Sequence, residues 1–307
     1  MSKNHSRTSN RSPSDATRRQ ITKRCHWVAQ SYLKAFSADD GQRIWRFSKH
    51  EGDPELKRIE KVAVKFHLYA PMGDDGRRND ALEKKLAQLE NFYGEPMWKA
   101  VCNDFPDFSW EPLRKMVALL TAVTWLRTPQ QFEFWKSAHR QFSDFFSRHD
   151  SLPDFAHVND QRIKLDHSDW PAYRNATEED MKGAWNEWLS QSASIAEVFL
   201  GMRWAIIVSD KPAFVTSDNP VLLGDTLGPH RGLKHPDAMV IFPLSPTRVL
   251  VMDNRHGEPD AQFYSAASPA ATNSLIWRNA IDHMFSPRHP DEVCAEMVSD
   301  AERMEFF

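Results

Sequence analysis

Hydrophobic residues recur at helical spacing through the middle of the chain. From Asp80 to Val101 they return every three or four positions, which predicts one amphipathic helix of about six turns. A second helix is predicted from about Trp110 to Arg127, with Ser109 as its N-terminal cap. A third is predicted from Pro129 to about Ser147, because proline fits the first turn of a helix.

Two further features complete this helical section, which spans about residues 79–201. Thr177-Glu-Glu-Asp180 has the arrangement of a capping box and predicts a helix that runs to about Gly201. Residues 150–176 are polar and rich in Asp, His and Pro, which predicts a long loop between the helices.

The pattern changes on either side of the helical section. Before it, the stretch from His26 to Phe36 has helical spacing, Ile44 to Phe47 alternates like a half-buried strand, and Val62 to Tyr69 predicts a second strand or an extended segment. Residues 202–287 instead contain short β-branched runs between turn residues, which predict consecutive strands. These runs are Trp204 to Val208, Phe214 to Thr216, Met239 to Phe242 and Val249 to Met252.

The segregation of helices from strands predicts an α+β fold. We expect a mixed or mostly antiparallel sheet with a long helical middle section, and two closing helices from about Pro269 to Ile281 and from Asp291 to Arg303. The N-terminal strands are expected to join the later strands in one sheet, since a lone hairpin is marginal in stability.

Composition and charge add limits to this outline. Residues 1–24 hold seven basic residues and one acid among Ser and Asn, which predicts a disordered basic tail ahead of a single α+β domain over residues 25–307. That tail is a candidate for contact with nucleic acid, although a merely solvated tail is the favoured interpretation. The net charge of −3 indicates no affinity of the whole protein for nucleic acid or membrane.

Cysteine and motif content exclude several classes. The three cysteines are widely spaced and form neither a disulfide framework nor a zinc pattern, which predicts a cytoplasmic protein. No apolar run approaches the roughly 20 residues of a membrane span. The absence of a Walker loop and of HExxH argues against P-loop hydrolysis and zinc proteolysis.

Seven short motifs, in order, resemble the family catalogued as domain of unknown function 4238. They are His26-Trp-Val-Ala-Gln30 with Tyr32-Leu33 and Phe36; Ala63 with His67-Leu-Tyr69; Leu82-Glu83 with Leu89-Glu90; Arg127-Thr-Pro129; Phe214-Val-Thr-Ser-Asp-Asn-Pro-Val221; Phe242-Pro-Leu-Ser-Pro246; and Asn273 or Asn279. One departure is Ala29, where the family more often has proline. The resemblance covers nearly the whole chain after residue 24 and implies a shared fold but no particular activity.

The densest polar motif is Thr216-Ser-Asp-Asn-Pro220, which follows a short predicted strand. In a functional interpretation Asp218 is a metal ligand or general base, while Ser217 and Asn219 orient a substrate. In a structural interpretation the segment is a turn, because Asp and Asn bond their own backbone. The sequence leaves both interpretations open.

Two further sets of residues are candidates for chemistry. His26 and Gln30 are four residues apart and would share one helix face, with His26 as acid, base or ligand, or as a structural cap. Glu83 and Glu90 lie at the border of an apolar stripe, where a carboxylate needs a partner. Arg127 is the expected partner, and a structural ion pair is favoured over an active-site pair.

Two functions therefore compete. In the first, His26, Gln30, Asp218 and Asn219, with Glu90 and Arg127, form the site of a hydrolase or transferase. A nuclease-like phosphodiesterase, with a divalent metal ion as its helper, is the leading form of that hypothesis. In the second, the same motifs support a non-catalytic binding module for nucleic acid or a partner protein.

Overall fold

The computed structural model describes residues 24–50, 52–73, 75–148, 153–158, 161–164, 166–225 and 232–305. The predicted basic tail thus lies outside the described residues, apart from Arg24. The strands are β1 (Arg24–His26), β2 (Arg43–Ser48), β3 (Glu55–Arg58), β4 (Val64–Phe66), β5 (Phe155–Val158), β6 (Gln161–Lys164), β7 (Arg203–Val208), β8 (Thr216–Ser217), β9 (Leu222–Asp225), β10 (Ala238–Ser245), β11 (Arg248–Asp253), β12 (Gln262–Ser265) and β13 (His283–Ser286). The helices are α1 (Gln30–Leu33), α2 (Ala81–Glu90), α3 (Pro96–Asn103), α4 (Glu111–Leu126), α5 (Pro129–Ser147), α6 (Trp170–Arg174), α7 (Glu178–Ser190), α8 (Ser192–Gly201), α9 (Pro269–Asn279) and α10 (Pro290–Glu305).

The order of these elements confirms the predicted α+β class, with a long helical middle section followed by a strand-rich part. Among the described residues, no helix combines the length and the apolar character needed to cross a membrane.

The N-terminal strands β2 and β3 do join later strands, as expected, but the longer strands fall into two sheets, so the expectation of a single sheet was wrong. A five-stranded sheet has the order β12-β7-β11-β10-β9 and is antiparallel except where β12 runs parallel to β7. A four-stranded antiparallel sheet has the order β3-β2-β13-β8 and joins the N-terminal strands to β13 near the other end of the chain. The chain passes from the second sheet to the first between β8 and β9, where Pro220 has no N–H to donate to a ladder.

The predicted helix from Asp80 to Val101 is interrupted. After α2, a 3₁₀ turn covers Asn91–Gly94, and α3 begins only at Pro96. Proline disfavours helical geometry in the residue before it, and Glu95 is accordingly extended, with φ −71° and ψ 151°. The sequence pattern missed this break because the apolar positions remain at helical spacing on both sides of it.

Three other helix predictions need correction. The helix expected from His26 begins at Gln30, because His26 ends β1 and pairs with Val64 of β4. The helix expected from Thr177 to Gly201 divides into α7 and α8, with Gln191 between them. The predicted cap Ser109 does not cap α4, whose N-cap residue is Trp110. The Ser109 hydroxyl donates to the Asp107 carboxylate at 2.6 Å instead.

The polar segment predicted as a long loop carries structure of its own. β5 and β6 form a two-stranded antiparallel hairpin, and α6 follows it. Its polar composition hid these elements, because both strand predictions and helix predictions rely on buried apolar positions. The described residues of β6 are all exposed.

The main hydrophobic core lies between the helical section and the five-stranded sheet. Helices α1, α4 and α8 and strands β7, β10 and β11 all contribute to it. Tyr32 illustrates its aromatic character, since its buried ring stacks on Phe242 with ring centres 5.3 Å apart. The segment from His26 to Phe36 is therefore fixed against the strands that carry the later motifs.

Candidate functional site

Asp218 lies in the crossing between the two sheets and is almost completely buried. Its Oδ1 accepts a hydrogen bond from the backbone N–H of Ile281 at 2.8 Å, and its Oδ2 accepts from those of Asp282 and His283, both at 2.9 Å. Its own N–H donates to the carbonyl of His283 at 3.0 Å. The carboxylate thus anchors the start of β13 with three backbone donors.

Ser217 and Asn219 are buried on either side of Asp218 and bond to the protein itself. The Ser217 hydroxyl accepts from the N–H of Asn219 at 3.1 Å. The Asn219 amide donates to Gln130 at the start of α5, at 2.6 Å, and to the carbonyl of Asn279 at 3.0 Å. The Asn279 amide in turn donates to the carbonyl of Asn219 at 2.8 Å, so the motif is tied to both α5 and α9.

Both candidate asparagines from the seventh motif contribute to this arrangement. Asn273 is fully buried and uses its side-chain amide to bond the segment ahead of β8. Its Oδ1 accepts from the N–H of Val215 at 3.1 Å, and its Nδ2 donates to the carbonyl of Ala213 at 2.9 Å. Helix α9 therefore holds the backbone on both sides of the Asp218 motif.

His26 and Gln30 do meet, although His26 is not helical. Nε2 of His26 donates to the carbonyl of Glu60 at 3.1 Å, which leaves Nδ1 to accept from the Gln30 amide at 3.2 Å. Burial lowers the pKa of His26, with the Glu60 carbonyl acting in the opposite direction. Both ring nitrogens of the neutral imidazole are thereby occupied.

Glu90 and Arg127 form the predicted ion pair, with Nη1 of Arg127 2.7 Å from Oε1 of Glu90. The guanidinium is almost wholly buried, and its Nη2 also donates to the carbonyl of His26. Burial alone would lower the pKa of Arg127, but its interactions with Tyr69 and Glu90 outweigh burial and raise that pKa. This pair joins α2 and the end of α4 to strand β1.

Glu83 lies near the same pair, and burial raises the pKa of its carboxyl group. Its Oε2 is buried without a hydrogen-bond partner among the described residues. Burial also raises the pKa of the nearby thiol of Cys25, and the negative charge of Glu83 adds to that effect.

The two groups of predicted residues meet through the aromatic residues of the first motif. The Trp27 indole donates to the carbonyl of Asp218 at 2.8 Å. The Tyr32 hydroxyl lies 2.8 Å from the Thr216 hydroxyl and donates to the carbonyl of Pro243 at 2.7 Å. Motifs far apart in sequence are thus joined in one partly buried network. We call it the motif network: His26, Trp27, Gln30, Tyr32, Glu90, Arg127, Thr216, Ser217, Asp218, Asn219, Asn273 and Asn279.

Asp282 and His283 bring two further candidate metal ligands close to Asp218. One carboxylate oxygen of each aspartate and a ring nitrogen of His283 lie within 4.8 Å of one another. Three backbone N–H groups already point at the Asp218 carboxylate, however, and their positive ends oppose a cation at the same oxygens. The geometry therefore suits an anchored carboxylate better than a divalent metal site.

A groove beside the C-terminal half of α5 was not predicted from the sequence. It has a volume of about 350 Å³ and is lined by Phe142, Phe146, Pro153, Asp166, His167, Asp169, Trp170 and Tyr173, which we call the aromatic groove. Trp170 stacks on Tyr173, with ring centres 5.8 Å apart and an interplanar angle of 21°. Phe146 meets Trp170 edge-on, with centres 5.8 Å apart.

A signal for this surface is present in the sequence of α5. Phe134, Phe142 and Phe145 fall within about 80° of arc on a helical wheel, and their exposed fractions are 65%, 57% and 56%. Helix α5 packs through another face, which includes the buried Phe132 and His139. Large apolar side chains that recur on the exposed face of a helix commonly mark an interaction surface.

The fold and the motif network define an α+β protein with two main sheets, whose polar motif residues lie mostly in its interior. The chain belongs to the family described as Protein of unknown function (DUF4238), whose model matches residues 24–289. No curated protein and no solved structure matches the chain.

Proposed function

We propose that this protein is a non-catalytic binding module for a partner protein. The observation that carries the proposal is the aromatic groove, where four aromatic side chains line a cavity of about 350 Å³. Ligand pockets commonly begin at about 300 Å³ and combine apolar walls with a few polar groups. Aromatic residues are also the side chains enriched where proteins bind one another.

The motif network supports this choice over the hydrolase hypothesis. A general base needs a lone pair within reach of the proton that it removes. Asp218 accepts three backbone N–H groups, and both ring nitrogens of His26 have partners. These bonds favour a structural role for the residues first considered catalytic.

The charge of the groove favours a protein over a nucleic acid as the ligand. Two carboxylates, Asp166 and Asp169, belong to its lining, and the described lining residues include no lysine or arginine. Nucleic-acid sites need cations that replace the counterions of the phosphate backbone. A phosphate backbone is therefore a poor match for this surface.

A random-peptide display on the full-length protein, followed by affinity measurements, tests the proposal. Phe142→Ala removes a groove side chain, whereas Phe134→Ala removes an equally exposed ring on the same helix outside the groove. We expect selected peptides to bind Phe142→Ala at least about tenfold more weakly than the wild type, as for an interface hot spot. Binding to Phe134→Ala should stay within about twofold.

The hydrolase hypothesis is tested in parallel with His26→Gln. Nucleotides, short RNA and DNA, and simple phosphodiesters are incubated with the wild type and the variant, with Mg²⁺, Mn²⁺ or Zn²⁺. Turnover that depends on His26 would replace the proposed function with an enzymatic one. Recovery of no peptide, or of peptides that bind Phe142→Ala and the wild type equally, would also overturn it.

A further inference from the structure

The aromatic groove combines two features that together recognise one chemical class. Four aromatic rings and two aspartates belong to its lining. A cation is attracted to the face of an aromatic ring, most strongly to tryptophan. Carboxylates attract the same cation by charge, so both features favour an apolar chain that ends in a positive group.

We infer that the aromatic groove binds a lysine or arginine side chain of the partner protein, with the cation between the aromatic rings and the carboxylates of Asp166 and Asp169. This inference rests on the proposed function and names the group that the groove recognises. The long methylene stem of such a residue packs on apolar walls while its charged end stays near polar groups.

The local structure fixes the Asp166 carboxylate and places Asp169 next to the groove rings. Oδ1 of Asp166 accepts the N–H of Ser168 at 2.9 Å, and this bond lowers the pKa of Asp166. Asp169 directly precedes α6, which carries the Trp170 and Tyr173 rings. The negative charges and the two rings therefore belong to one short segment.

Contacts with neighbouring residues also hold Tyr173 and His167 of the groove in place. The His139 ring lies 4.4 Å from that of Tyr173, and its Nε2 donates to the carbonyl of Tyr173 at 2.7 Å. The His167 ring donates to the carbonyl of Pro153 at 3.0 Å. Because these bonds already exist, little ordering is needed when a ligand enters.

Matched peptides and a tryptophan probe test the inference on the full-length protein. Blocked peptides of sequence Gly-Ser-X-Ser-Gly carry Lys, Arg, norleucine or Glu at X, and norleucine reproduces the lysine stem without its charge. The protein is labelled with fluorotryptophan, and the Trp170 signal among the 11 tryptophans is assigned with Trp170→Phe. Titrations followed by fluorine NMR give a dissociation constant for each peptide.

We expect the Lys and Arg peptides to shift the Trp170 signal and to bind at least about fivefold more tightly than the norleucine peptide. The double variant Asp166→Asn/Asp169→Asn should remove that preference while norleucine binding stays the same. Asparagine can still accept backbone hydrogen bonds in such turns, and a thermal melt checks that the variant is folded.

The outcomes separate this inference from the proposed function. Equal affinity for Lys and norleucine, or an unchanged preference in the double variant, would overturn the cationic specificity and leave an apolar peptide site. If no pentapeptide moves Trp170 although display peptides depend on Phe142, a cationic anchor is again overturned and the binding function stands. If display also yields no groove-dependent peptide, both fail.

Discussion

Asp218 shows how much one side chain can contribute where a chain passes between sheets. Its carboxylate is almost fully buried and accepts hydrogen bonds from the N–H groups of Ile281, Asp282 and His283. Bonds to an ionised acceptor are stronger than neutral ones, and removal of the acceptor leaves buried donors unsatisfied. The residue therefore matters for stability whatever the protein binds.

Asp218→Asn is expected to lower the free energy of unfolding by about 3 kcal/mol, because an amide N–H₂ would face backbone donors. The matched control is Asp282→Asn, whose side chain is half-exposed and pairs with the exposed His50; its effect should stay below about 0.5 kcal/mol. Urea unfolding of both variants gives the comparison. Equal stability of the two variants would argue that Asp218 is kept for chemistry instead.

The buried carboxylate of Asp253 allows a prediction of how the stability of the fold depends on pH. Arg203 and Asp253 pair across β7 and β11, and both side chains are about 5% exposed or less. Burial acts to raise the pKa of Asp253, but the bonds from Arg203 and Arg255 outweigh it and lower that pKa to about 2. The folded protein therefore holds this proton less tightly than the unfolded chain does.

The stability from this shift is present above the unfolded pKa near 4 and is lost as the pH falls to about 2. We expect Asp253 to account for about 2 kcal/mol of the loss over that range, since one pKa unit corresponds to about 1.36 kcal/mol. Unfolding of the wild type and of Asp253→Asn at several pH values isolates this share. Parallel pH profiles of the two proteins would contradict the assignment.

At the scale of single residues, the sequence located the polar positions of the network but not their bonds. The Glu90–Arg127 pair was predicted because helical periodicity placed a carboxylate at the edge of an apolar stripe. The donors to Asp218 lie more than 60 residues further along the chain. No local pattern can indicate such partners, so the turn and the catalytic interpretations looked alike in sequence.

Helix starts offer a test at the scale of elements. Thr177 caps α7 as the sequence predicted: its hydroxyl accepts the N–H of Asp180 at 3.2 Å, and the Asp180 carboxylate accepts the N–H of Thr177 at 2.8 Å. Ser109, also predicted as a cap, bonds only to Asp107. Substitutions of Thr177 and Ser109 therefore compare a residue that caps a helix with one that does not.

Thr177→Ala should lower the free energy of unfolding by about 1 kcal/mol, which is typical for the loss of an N-cap. Ser109→Ala should change it by less than about 0.5 kcal/mol, because it removes an exposed bond outside α4. Thermal unfolding of both variants measures the difference. A larger cost for Ser109→Ala would mean that it supports α4 after all.

Element types were easier to predict than element boundaries. The strands around Ile44, Trp204, Met239 and Val249 are present because buried β-branched or aromatic runs indicate strands strongly. Strands β9, β12 and β13 were missed, since Leu222–Asp225 and Gln262–Ser265 lack that alternation and His283–Ser286 is short. Backbone pairing stabilises these segments, and the sequence pattern does not report it.

At the scale of the whole molecule, the fold class followed from the order of elements, whereas the division into two sheets did not. The assignment of β2 and β3 to a separate sheet depends on the pairing of β2 with β13, because β3 pairs with β2. The aromatic groove also arises only when α5 and α6 come together, because its rings lie on both helices. Tertiary contacts of this kind leave little trace in hydrophobic periodicity.

The pairing of β2 with β13 has a consequence for biosynthesis. Residues 43–48 are translated long before their sheet partner, residues 283–286. Contacts so distant in sequence form late, because closure of a long loop costs entropy first. Until residues 283–286 have been translated, the nascent chain therefore carries an unfinished sheet edge, and unpaired strand edges of this kind are prone to aggregation.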